Sequence, residues 1–290
     1  MDTIHFLNEN PNFFLMVVAA LSLIVGSFLN VVIYRLPRMI ENDWNQECRQ
    51  YLGFKNAETE PTKTFSLSLP FSHCPECKKT LKPWHNIPII SYIVLGGKCA
   101  YCKAKISVRY PFVEALTCFT SVYIAMHFGF TWQTLAALFF TWILIALTFI
   151  DLDFQLLPDQ LTFSLLGLGL GCSLFNLFCS SQDAIIGAIA GYLLFAITQA
   201  IFKLVTGKVG MGEGDYKFLA ALGAFIGWQM LPVIILLASI SGIIIGVTHM
   251  VIKHQFKSIP LPFGPYLAVA GWISLMWGSD IMRIYLHVIQ

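Results

Sequence analysis

Long uncharged apolar runs constrain this chain more than any other feature. Phe13–Tyr34 contains no Asp, Glu, Lys or Arg. A helix rises about 1.5 Å per residue, so a run of this length crosses a hydrocarbon layer of about 30 Å. Further candidate spans follow at about 111–129, 132–150, 160–180, 184–205, 217–229, 231–252 and 265–287. Eight spans are expected. The sixth is short, and the break at Gly227–Pro232 could instead be a kink within one longer span, giving seven. Charged residues make up 12% of the chain, about half the usual share, too few to clothe a soluble globule. The expected fold is therefore an all-α polytopic membrane protein in a lipid bilayer. A net charge of +2 argues against a nucleic-acid surface, and eight cysteines in 290 residues are too sparse for a disulfide-stapled scaffold. Asp2 and Glu9 precede the first span without any Lys or Arg, and no small-residue cleavage site follows it, so it does not read as a cleaved signal peptide.

The charges cluster. Twelve of the 18 Lys and Arg lie between Arg35 and Arg109, against six of the 16 acidic residues. That stretch also holds Pro61, Pro70, Pro75, Pro83 and Pro88 and no apolar run long enough to span. The expected organisation is a transmembrane helix over 1–34, a small water-facing domain over 35–110 and a transmembrane core over 111–290. With eight spans, the loops at 35–109, 203–217 and 253–257 share one side, and the opposite turns near 129–132, 180–184 and 229–232 lack Lys and Arg; Arg283 is the exception. The basic side should be cytoplasmic. The 151–159 loop falls there too, with three Asp and no cation.

Cys74-Pro-Glu-Cys77 and Cys99-Ala-Tyr-Cys102 are two CxxC knuckles separated by 21 residues. That spacing reads as a tetrahedral four-thiolate zinc site, structural because four thiolates close the coordination sphere. Pro75 and Gly96-Gly97 suit the tight turns. Two disulfides or incidental thiols are the competing readings, and a reducing cytoplasm weakens the first. Cys48, Cys118, Cys172 and Cys179 lack partner spacing and read as small apolar residues.

Two acidic segments abut spans: Asp151-Leu-Asp153 through Leu157-Pro158-Asp159, and Gly210-Met-Gly212-Glu-Gly214-Asp215-Tyr-Lys217. Ionisable groups at that depth are costly and suggest function. Glycines beside Asp215 would let the backbone leave helical geometry where it lines a wet cavity. Asp159 is expected to N-cap a helix, and Asp183 to cap or turn. Two carboxylates brought together share a proton, so one can activate water while the other hydrogen-bonds a scissile carbonyl. Asp151 and Asp153 would not share a helix face, so only one should meet Asp215. No Ser–His or Cys–His nucleophile is evident; His5, His73, His85, His127, His249, His254 and His287 are scattered.

Taken together, Gly26-Ser-Phe-Leu-Asn30, Arg35-Leu-Pro, the paired CxxC knuckles, Pro83-Trp-His-Asn-Ile-Pro88, Arg109-Tyr-Pro-Phe-Val-Glu114, Asp151 through Leu157-Pro-Asp159, Gly212-Glu-Gly-Asp-Tyr-Lys217 and Pro262-Phe-Gly-Pro265 resemble the bacterial type IV prepilin peptidases. These are bifunctional leader peptidases and N-methyltransferases among the Gly-x-Gly-Asp membrane aspartyl proteases. The resemblance covers nearly the whole chain. It implies that Asp151 and Asp215 are the catalytic pair. It implies prepilin and pseudopilin substrates, cleaved after a glycine that ends a short basic leader at the cytoplasmic face of the inner membrane. S-adenosylmethionine would then methylate the new N-terminus; no glycine-rich donor loop is readable in the residues. An acidic 151–159 loop would attract basic leaders. Glu114 could pair with Arg109 or serve substrate or methyl-donor binding. Lys217 could snorkel or bias the aspartate pair, and Asn30 could serve helix packing or line a cavity. A transporter relaying protons through the same aspartates, and a scaffold docking partners through its zinc domain, are the readings from other classes.

Overall fold

The computed structural model describes residues 9–53, 66–253 and 262–289. Expectations about Asp2, His5, Glu58, Glu60, Pro61, His254 and Lys257 fall outside them, as do those on the side chains of His249 and His287. Two compact units make up the chain, Met1–Thr134 and Leu135–Gln290. Secondary structure is almost wholly helical, with two isolated β-bridges and no longer strand among the described residues.

In the first unit, α1 (Pro11–Tyr51) runs unbroken past Tyr34, with Pro37 inside it. After the small α2 (Ile90–Val94), α3 (Arg109–Phe128) packs along α1. A glycine makes the contact close: a Cβ on Gly26 would lie 2.9 Å from the Glu114 Cα. Asn30 sits one turn away and bridges the pair, its amide donating to the Gly26 and Tyr110 carbonyls, both at 3.2 Å. Of its two readings, helix packing is the one seen. Arg35 is buried and points its guanidinium at backbone carbonyls, Ser66 at 2.9 Å, Leu67 at 3.3 Å and Pro70 at 2.6 Å. A fork of fixed donors can gather several carbonyls at once, so one side chain ties the 66–70 segment to α1.

The second unit is built around a short helix. α7 (Glu213–Ile226) has only 14 residues, yet Tyr216 and every residue from Phe218 to Phe225 are buried. Around it stand α4 (Trp132–Phe154), α5 (Asp159–Ser173), α6 (Ser181–Thr206), α8 (Leu231–Lys253) and α9 (Gly264–Ile289). Small residues let α6 approach: a Cβ on Gly187 would meet the Gly223 carbonyl oxygen, and one on Gly191 would lie 2.7 Å from the Leu219 carbonyl oxygen. Such small-residue contacts are how helices associate where water supplies no driving force. The Phe140 ring of α4 lies 4.3 Å from that of Phe225, and the Trp272 indole donates to Thr141 at 3.2 Å.

Among the described residues, four helices are long and apolar enough to cross a membrane, Pro11–Tyr51, Trp132–Phe154, Ser181–Thr206 and Trp228–Ile252. Eight spans were expected from the apolar runs. α5 and α7, at 15 and 14 residues, reach about 22 Å and 21 Å, short of a 30 Å layer. α3 carries Arg109 and Glu114, and α9 carries Asp280 and Arg283. The chain does break between α7 and α8 rather than kink: Gly227 takes φ 99°, which glycine alone tolerates, and a 3-10 turn over Trp228–Met230 follows.

Candidate active site and metal centre

Asp151 lies in the last turn of α4, and Asp215 in the first turn of α7. The 63 residues between them hold α5, α6 and their connections, which fold the chain back on itself. Asp151 is buried at 5% exposure, whereas Asp153, two positions on, is exposed. The period of the helix thus buries one of the two and exposes the other.

Leu157 and Gly264 fix the approach. The Gly264 amide donates to Asp151 Oδ2 at 2.9 Å. A Cβ on Gly264 would lie 2.7 Å from that oxygen and 3.0 Å from Leu157 Cδ2, and one on Gly214 would lie 2.8 Å from Leu157 Cβ. Leu157 is therefore a buried wedge between the start of α7 and the start of α9, each bared by a glycine. Glycine serves close approach here. Gly212, which precedes α7, has an ordinary φ of −76°, so its role is not conformational freedom as expected. Nothing in the apolar patterning marked Leu157. Gly264 sits between Phe263 and Pro265 at a span start, and that segment entered the sequence reading only as part of a family motif.

Asp159 does not cap α5. Pro158 occupies the cap position, and Asp159 is the first helical residue. There its carboxylate suits the helix dipole and accepts from Lys217 Nζ at 2.7 and 2.8 Å. Neither reading of Lys217 anticipated this partner. Asp183 is likewise inside its helix: Ser180 caps α6, accepting from the Asp183 amide and donating to its carboxylate at 2.7 Å. The other Asp183 oxygen takes Trp228 Nε1 at 2.9 Å and Gln229 Nε2 at 2.8 Å, which ties α6 to the turn after α7.

In the first unit, Cys74, Cys77, Cys99 and Cys102 bring their sulfurs within 4.8 Å of one another. The Cys74 and Cys102 sulfurs are 3.7 Å apart. A tetrahedron with zinc–sulfur bonds of about 2.3 Å needs sulfurs about 3.8 Å apart, so the cluster fits zinc. All four thiols are free, and their mutual approach suits a single metal ion. Both knuckles share one backbone design. The first cysteine's amide donates to the carbonyl five residues on, Lys79 at 3.0 Å and Ala104 at 2.8 Å. The residue after the second cysteine is left-handed, Lys78 at φ 57° and Lys103 at φ 62°. Glu114 is buried on α3 and accepts the Ile89 amide at 2.7 Å and the Ser27 hydroxyl.

The Type IV leader peptidase family matches residues 138–247, and the Bacterial Peptidase A24 N-terminal domain matches residues 20–128. A prepilin leader peptidase/N-methyltransferase of Pseudomonas aeruginosa is 52% identical over 99% of this chain and 98% of its own length. The protein of that name from Legionella pneumophila is 45% identical over 95% of this chain and 96% of its own, and that from Neisseria gonorrhoeae 44% over 91% of each. The chain belongs to the prepilin leader peptidase/N-methyltransferase family. No solved structure matches it. The two family matches follow the two compact units: the four cysteines fall in the N-terminal match, and Asp151 and Asp215 in the leader peptidase match. Nothing in these likenesses supports a transporter.

Proposed function

We propose that this chain is a membrane aspartic endopeptidase that cleaves the basic leader from prepilins and pseudopilins, with Asp151 and Asp215 as its hydrolytic pair, and then N-methylates the new N-terminus. One observation carries the peptidase reading. Leu157 packs against Gly264, whose amide occupies one oxygen of Asp151, and against Gly214, the residue before Asp215. The other Asp151 oxygen stays available to the chemistry. An ionised member of the pair takes a proton from water, and its protonated partner hydrogen-bonds the scissile carbonyl. Water attacks directly, so no covalent intermediate forms. Asp153 and Glu213, exposed at the ends of α4 and α7, would draw the leader's cations towards the pair. The leader would end in glycine, and cleavage would occur at the cytoplasmic face of the inner membrane. The excess of Lys and Arg in the loops on that side supports this.

Zinc, held by the four cysteines, is a structural staple in this reading: a closed thiolate tetrahedron offers no position for substrate. The methyl donor is S-adenosylmethionine, as the family's methyltransferase activity implies. Purified protein incubated with a prepilin and S-adenosylmethionine, with the product weighed by mass spectrometry, tests both activities. The expected product has lost its leader and gained one methyl group. An intact prepilin would refute the reading.

A further inference from the structure

The water-facing domain expected over 35–110 contains a stretch that does not look built for water. Pro83–Gly97 carries no Asp, Glu, Lys or Arg, and Lys82 and Lys98 flank it. We infer that the segment from Trp84 to Leu95, with α2 at its centre, dips into the bilayer beside α1 and α3 as a re-entrant element. This goes beyond the proposed activity and does not depend on the aspartate pair.

Depth is set by a short chain of contacts. Gly26 lies in the uncharged part of α1, a helix long and apolar enough to span. Glu114 abuts Gly26, with the 2.9 Å approach given above. The Ile89 amide donates to the Glu114 carboxylate at 2.7 Å. Ile89, where that helix begins, is therefore level with a membrane-spanning stretch. The face α2 turns outward is apolar: Ile90, Ile93 and Val94, spaced i, i+3, i+4, are 57%, 70% and 78% exposed. Water would be a poor neighbour for three such side chains on five residues; lipid is a good one. Trp84, 58% exposed with the Lys82 ammonium 5.1 Å from its ring centre, has the character of an interfacial anchor. Lys82 and Lys98 can reach back to the headgroups from either end.

The backbone meets the stricter condition. Non-helical chain enters lipid only when its polar groups are satisfied internally. Ile89 has φ 59°, a costly conformation for a β-branched residue, and its amide is the one taken by Glu114. Ser91, Ile93, Leu95, Gly96 and Gly97 donate to carbonyls within the segment at 2.9–3.1 Å. The stretch is too short to cross the membrane at about 20 residues, and apolar runs of about 10–14 suit a re-entrant element.

Depth-dependent quenching tests this in the full-length, zinc-loaded protein. Cys48, Cys118, Cys172 and Cys179 are replaced by Ala, leaving the four metal-bound thiols protected. Ile93→Cys carries an environment-sensitive fluorophore, with Thr80→Cys in the first zinc knuckle as the comparison site. In nanodiscs of phosphatidylcholine and phosphatidylglycerol, lipids with a nitroxide near the headgroup end of the acyl chain should quench the Ile93→Cys label severalfold more than the Thr80→Cys label. Aqueous iodide should do the reverse. Zinc content equal to wild type shows that the lobe is folded, and Val94→Cys supplies the same reading if Ile93→Cys loses zinc. A label at both positions that emits as in water and yields to iodide like Thr80→Cys would overturn the inference. So would one shielded only when prepilin is added, which would make the face a substrate surface.

Discussion

At the residue scale, the site depends on which oxygens are spoken for. Gly264 holds one Asp151 oxygen, and any side chain there would collide with the carboxylate it serves. Gly264→Val should therefore cost peptidase activity by tenfold or more, on the order of the 1.4 kcal/mol that a factor of ten represents, with the protein still inserted; kcat and KM for leader cleavage measure it. Two carboxylates sharing a proton titrate as a pair. Cleavage should fall at both pH extremes, and a rate that climbs to a plateau on the alkaline side would speak against a shared proton. The expectation for Asp151 and Asp215 came from charge beside an apolar run, which is conspicuous in a sequence. Lys217 and Asp159 were each noticed, but their partnership was not, since no local spacing links residues 58 positions apart. Asp159 was misplaced by one position because Pro158, with its extended backbone, takes the cap.

At the scale of elements, close approach through glycine orders the second unit. A Cβ on Gly223 would fall on the Gly187 backbone, where no flexible side chain can yield. Gly223→Leu should separate α6 from α7 and lower the yield of folded protein, whereas Gly167→Leu, facing open space, should not. Thermal stability in detergent compares them. The zinc lobe is the other element whose integrity is testable. Thiolates must be deprotonated and gathered to bind metal, so metal affinity is folding energy. Replacing any of Cys74, Cys77, Cys99 or Cys102 with Ser should lower the zinc-to-protein ratio and open the lobe to proteolysis. A protein purified without chelators that holds no zinc would contradict the assignment. The knuckles were readable from spacing alone. Their left-handed turns were not: the sequence suggested Gly96 and Gly97, and the structure also uses Lys78 and Lys103, where a hydrogen-bonded loop overrides the preference for glycine.

At the scale of the whole molecule, the apolar runs foretold a helical membrane protein, of which four helices among the described residues are long and apolar enough to span. α7 reads as a span because it is apolar all round from Phe218 onward. It is apolar because neighbours bury it on nearly every side, as a central helix of 14 residues. A hydropathy pattern cannot separate burial in protein from burial in lipid. Likewise, α1 was expected to end near Tyr34 where charge begins, yet it continues through Pro37 to Tyr51, because charged residues such as Glu41, Glu47 and Arg49 are themselves good helix formers. The proposed topology rests on loop charge. Single cysteines placed in 206–212 should be labelled only from the cytoplasmic side, and labelling from outside intact cells would reverse the orientation.

The central claim is that Asp151 and Asp215 together activate the water. Asn keeps the size and polarity of Asp but cannot cycle a proton. The direct measurement is leader cleavage by Asp151→Asn and Asp215→Asn proteins in membranes, alongside methylation of a precleaved substrate. Cleavage should be abolished in each, while methylation persists and Asp153→Asn retains substantial cleavage. Near-wild-type cleavage by either mutant would contradict the assignment, and loss with Asp153→Asn but not with Asp151→Asn would move the role two residues along.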